Sequence, residues 1–138
     1  MKKKLLAVIA LVLVFACCLS VPAFAWDVRS NPVISYTHCN ITDMDEDGVI
    51  TINFTIIAKD ICSTIGVSQI DLYESDGTFK KHYYPSAYAV MLTSNHRSYS
   101  ASVDYPATPG KSYYADVYFY AVCDGVTGTF TDTTPIGP

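Results

Sequence analysis

Basic residues are scarce in this sequence. Nine Lys and Arg stand against 13 Asp and Glu, and three of the nine are Lys2, Lys3 and Lys4. From residue 26 onward, six basic residues face all 13 acidic ones, a formal charge of −7. A nucleic-acid binder neutralises phosphates and needs the opposite sign, and docking on anionic lipid needs it too. Long apolar runs are also missing: the longest, Leu5–Leu19, has 15 residues, short of the ~20 that span a bilayer as a helix. Catalytic signatures are absent as well. His38, His82 and His96 stand singly, without His-x-x-x-His or His-Glu-x-x-His spacing for zinc. No Gly-x-Ser-x-Gly elbow occurs, and no cysteine sits in a nucleophile-type context. The expectation is a non-enzymatic chain without a cofactor, save for one acidic segment described below.

What the first 25 residues do contain is the order of a secretory signal. A positive start at Lys2–Lys4 is followed by the apolar run and then by Ala23-Phe24-Ala25, a small-x-small cleavage site. This pattern predicts removal of residues 1–25 and a mature domain over 26–138, its core over about 33–134. The protein is then secreted or cell-surface associated, with no membrane contact after cleavage. Three cysteines follow the signal, Cys39, Cys62 and Cys123. An odd number in an exported chain predicts one bridge and one leftover thiol, with the pairing open at this point.

Residues 26–138 carry all 11 Tyr with many Val, Ile and Thr and few strong helix formers, a composition suited to pleated sheet. Period-two alternation recurs. In Val49–Ala58, residues Ile50, Ile52, Phe54, Ile56 and Ala58 share one face, with Thr51, Asn53 and Thr55 on the other. Val67–Glu74 puts Ile70 and Leu72 inward and Gln69, Asp71 and Tyr73 outward. Ser98–Tyr105 and Tyr113–Cys123 alternate cleanly, the latter with Tyr113, Ala115, Val117, Phe119, Ala121 and Cys123 on one side. Turns fall at Asp47-Gly48, Asp76-Gly77, Pro109-Gly110 and Asp124-Gly125, Asp76-Gly77 reading as a two-residue hairpin. Ser86–Leu92 fits neither period. The proline-bearing ends, Trp26–Pro32 and Pro135–Pro138, predict loose attachment. Several short strands with regular turns predict an all-β sandwich or barrel.

The segment Thr108-Pro109-Gly110-Lys111-Ser112-Tyr113-Tyr114-Ala115-Asp116-Val117 resembles the entry to the sixth strand of a fibronectin type III or related immunoglobulin-like domain. There a Pro-Gly turn precedes a Tyr whose hydroxyl bonds back to the backbone, the tyrosine corner. Tyr113 takes that place. The chain is similar, more broadly, to small exported β-sandwich proteins of Gram-positive bacteria. The resemblance implies about seven strands, near 33–39, 49–58, 67–74, 78–84, 98–105, 112–123 and 126–132. It implies no activity. In such a sandwich the connection after the second strand and the end of the sixth lie at one pole, which implies a Cys62–Cys123 bridge and a free Cys39. Asp60 and Asp124 would come near that bridge, although turns carry Asp routinely.

Two surfaces are candidates for contact. In Asp43-Met44-Asp45-Glu46-Asp47-Gly48, carboxylates alternate and a Gly follows, as in the opening of a calcium loop. Asp43, Asp45 and Asp47 are the candidate ligands. The loop's twelfth position is Phe54 rather than a bidentate Glu, so any affinity would be weak, on the order of 10⁻⁴–10⁻³ M. The competing reading is an acidic turn held in solvent. On the strand starting at Tyr113, residues Tyr114, Tyr118 and Tyr120 face outward, and Tyr73 faces the same way from a neighbouring strand. Such tyrosines stack on sugars or anchor a protein, and they also pair with one another across strands. The leading expectation is a binding domain for an extracellular protein or glycan. A carbohydrate-binding module and a self-associating structural subunit are the alternatives.

Overall fold

A computed structural model describes residues 30–137; the expected signal segment lies outside them. The described chain is all-β, with strands β1 (Ile34–Ile41), β2 (Val49–Cys62), β3 (Thr64–Glu74), β4 (Phe79–Tyr83), β5 (Leu92–Thr93), β6 (His96–Pro106), β7 (Tyr113–Cys123) and β8 (Val126–Thr133). They form two sheets, one ordered β1-β2-β6 and the other β4-β3-β7-β8 with β5 also on β3. All pairings are antiparallel. This arrangement is compatible with a β-sandwich.

Alternation in the sequence becomes alternation in burial. On β2, Ile50, Ile52, Phe54, Ile56 and Ala58 are all buried, and on β7 every odd position from Tyr113 to Cys123 is buried. The inner rows of both sheets join one apolar cluster, packed further by the half-buried Tyr99, Ala101 and Tyr105 of β6. At roughly 25 cal/mol per Å² of apolar surface removed from water, this cluster is the main force holding the sheets together. β3 changes face parity part-way: Ile65 and Val67 are buried, and so are Ile70 and Leu72. A register shift between Val67 and Gln69 accounts for it, since one extra residue in a strand flips those beyond it. The Ser68 hydroxyl at that bulge donates to the Tyr118 carbonyl at 3.1 Å.

Two local expectations need correction, and one open segment is settled. Asp76-Gly77 is not a two-residue hairpin. Glu74 N–H bonds Thr78 O at 2.9 Å, leaving Ser75, Asp76 and Gly77 in the loop. The two-residue hairpin is Asp124-Gly125, where Cys123 pairs with Val126 and both loop residues have positive φ, 49° and 76°, as a twisted hairpin requires. Ser86–Leu92 holds a single 3-10 turn, Ala89–Met91, that leads into β5. Within the described residues, 30–137, the ends are tied rather than loose, residues 26–29 and 138 lying outside them. Asn31 Oδ1 accepts from Val33 and Ile34 N–H, and Gly137 exchanges two 2.8 Å backbone bonds with Tyr113.

The Tyr113 side chain is buried, and its hydroxyl accepts from Thr108 N–H at 2.9 Å, closing the turn five residues upstream. Cys62 and Cys123 form a disulfide with Cα atoms 4.0 Å apart. The bridge joins the end of β2 to the end of β7, so it ties one sheet to the other. Cys39 is free and buried.

Candidate functional site

The outer face of the second sheet concentrates most of the unusual chemistry. Antiparallel register places Tyr73 opposite Tyr114, Asp71 opposite Asp116 and Gln69 opposite Tyr118. On the other side of β3, Tyr73 meets Phe79 and Asp71 meets His82. Rings therefore run across three strands in continuous contact. Tyr114 stacks on Tyr73 with centroids 5.2 Å apart and planes at 15°. Tyr73 then meets Phe79 edge-on at 5.7 Å. Phe79 lies 4.3 Å from the His82 ring, which is 5.7 Å from Tyr84. Phe79 and Tyr84 are 45% and 42% exposed, so this row is open to solvent at the β4 end.

Beside the rings lies a carboxylate that alternation assigns to solvent but that is almost fully covered. Asp71 is only 5% exposed. Both its oxygens accept from Gln69 Nε2 at 2.8 Å, and Oδ1 also meets His82 Nδ1. Asp116 receives the Thr133 hydroxyl at 2.6 Å. Burial raises the Tyr73 and Tyr118 phenols above the usual range, and the Asp71 and Asp116 charges raise both further. The two phenols thus lie in the negative field of Asp71 and Asp116.

Of the four predicted tyrosines, Tyr73 and Tyr114 are brought together, and Tyr118 joins them through the carboxylates. Tyr120 lies further along the same half-buried outer row of β7, opposite Gly66. Phe79 and His82 were not expected here, nor was the covering of Asp71. Phe79 and His82 owe their place to pairing of β4 with β3, a contact that local alternation does not encode. The DG-containing hairpin was the available signal for that pairing.

The acidic turn has a structure of its own. Asp45 Oδ1 accepts from Asp47 N–H at 3.0 Å and Val49 N–H at 2.8 Å, and Gly48 takes φ +78°. Among the described residues, no group of three or more His, Cys, Asp or Glu side chains is arranged to hold a metal ion. The Asp45 carboxylate serves the backbone of its own loop, while Asp43 and Asp47 flank it on an exposed segment. Near the disulfide, a pocket of about 320 Å³ is lined in part by Lys59, Asp60, Cys123 and Asp124. Lys59 is already engaged there, donating to Asn31 O.

No protein-family model, curated protein or solved structure matches the chain. Function is therefore argued from the face itself.

Proposed function

We propose that the chain is an exported, non-enzymatic binding domain that engages an extracellular partner through the outer face of its second sheet. The observation that carries this reading is the unbroken row of rings from Tyr114 through Tyr73, Phe79 and His82 to Tyr84. Aromatic rings offer large contact area at small entropic cost, and an exposed apolar row is a usual mark of interaction. The strand order and the Tyr113–Thr108 bond support reading the two sheets as a fibronectin type III-like sandwich, a fold that presents such faces. The disulfide supports an oxidising compartment.

A protein partner fits better than a neutral glycan. Tyr73 and Tyr114 stack on each other, which occupies ring faces that a sugar would need. The test is a binding screen of the secreted protein against immobilised peptides and neutral polysaccharides, repeated with Phe79→Ala and with Tyr73→Ala. Loss of peptide retention at an unchanged unfolding midpoint supports the reading. Retention on polysaccharide that depends on Tyr73 and Tyr114 would make the protein a carbohydrate-binding module instead. Retention indifferent to every substitution on this face would remove the face from function.

A further inference from the structure

We propose that this aromatic face docks a basic peptide segment, seating an Arg or Lys side chain against Asp116 between the Tyr114 and Tyr118 positions. The inference rests on the reading of this face as the binding surface and adds the chemistry of the partner. Its first support is a charge arrangement that no described Lys or Arg balances. Asp71 and Asp116 stand directly opposite on neighbouring strands, and like charges in that relation destabilise a sheet. Each described Lys and Arg is engaged elsewhere. Lys80 and Lys111 pair with Glu74, Lys81 lies over the Tyr83 and Tyr88 rings, Lys59 donates to Asn31 O and Arg97 to Ala58 O. Among the described residues, the base that meets this pair is His82, on Asp71.

The second support is which acceptor is open. The Asp71 oxygens already take Gln69 and His82, whereas Asp116 takes one hydroxyl on Oδ1. A partner cation therefore meets Asp116 first, with the Asp71 charge behind it. The Tyr118 ring, outside the Tyr73–Tyr114 stack, favours the same guest, since a guanidinium stacks on Tyr while its edge pairs with a carboxylate. An acidic or phosphorylated segment would meet repulsion from both carboxylates.

Fluorescence anisotropy of labelled hexa-arginine and hexa-glutamate with the secreted protein tests this at low salt. Hexa-arginine should bind and hexa-glutamate should not, and binding should weaken as salt screens the pair. Asp116→Asn should weaken it about tenfold, while Asp47→Asn, equal in charge but off this face, should change it by less than about twofold. Tyr73→Ala, with the carboxylates intact, should also weaken it. Equal losses for Asp116→Asn and Asp47→Asn would mean general charge attraction and overturn the proposal. So would peptide binding that depends on Tyr73 but ignores Asp116; that result leaves the binding face standing and removes only the cation.

Discussion

Cys39 faces the core from β1, opposite Phe54. Burial pushes its thiol up from 9.0 to about 12, and the Asp132 and Asp116 charges add to the rise. The folded state therefore holds this proton more tightly than the unfolded chain does. Stability from that difference is complete below pH 9.0 and is lost as pH rises toward about 12. Tyr83, also raised by burial, contributes with the same sign, so the parent must be compared with a variant that keeps Tyr83. In urea unfolding, the gap between parent and Cys39→Ala should shift against the parent by about 2–3 kcal/mol between neutral pH and pH ~11. A parallel pH dependence of the two would mean that the thiol titrates as freely folded as unfolded. Cys39 shows how far a residue can be read in advance. An odd cysteine count reaches a leftover thiol and the resemblance assigns it to Cys39, but the Asp116 and Asp132 charges that act on it come from strands distant in sequence.

Among the elements, β3 depends on a glycine. Gly66 has φ +148°, and a Cβ there would lie 2.1 Å from Met91 O and 3.0 Å from Leu92 Cα. That closeness lets β5 pair with β3 at Gly66 and Ile65. Gly66→Ala should cost about 2 kcal/mol or more, combining a strained backbone with a clash against main chain that cannot swing aside; a unchanged urea midpoint would show that the 89–93 segment moves away freely. The turn before β2 rests on a side chain. Asp45→Ala removes the acceptor of two backbone N–H groups and should lower stability by about 1–2 kcal/mol. The loss should be equal in millimolar calcium and in chelator. A loss seen only with calcium present would turn the acidic turn into a weak metal site. Most strands were legible because a sheet buried on one side writes its period into β2, β6 and β7. Boundaries were less so: β2 runs on to Cys62 past Lys59 and Asp60, where charge interrupts the apolar pattern but pairing continues to His96. The site was half legible. Tyr73 and Tyr114 followed from parity, while Asp71 reads as a solvated outward residue because its partners, Gln69 and His82, are brought to it by tertiary pairing and a bulge.

For the whole molecule, the Cys62–Cys123 bridge spans a separation of 61 residues, and it ties the β1-β2-β6 sheet to the β4-β3-β7-β8 sheet at one end. Each sheet is continuous by hydrogen bonding, and between them the protein relies mainly on apolar contact and this bond, with the Tyr83 hydroxyl also donating across to Asp104 O at 3.0 Å. Closing a loop of that length is worth roughly 4 kcal/mol in the chain-entropy picture, a large share of the ~5–15 kcal/mol that holds a typical domain folded. Most of that effect is on the unfolded chain, so the reduced protein should keep its fold at low temperature while unfolding much more easily. The paired Cys62→Ala and Cys123→Ala variant should show the parent's far-ultraviolet circular dichroism at 10 °C, with unfolding free energy lower by about 3–4 kcal/mol. A variant already unfolded at 10 °C would mean that the two apolar inner faces do not hold together unaided. A loss below about 1 kcal/mol would mean that the unfolded chain is compact enough to gain nothing from the cross-link. The first outcome would confine function to an oxidising compartment; the second would free it from one.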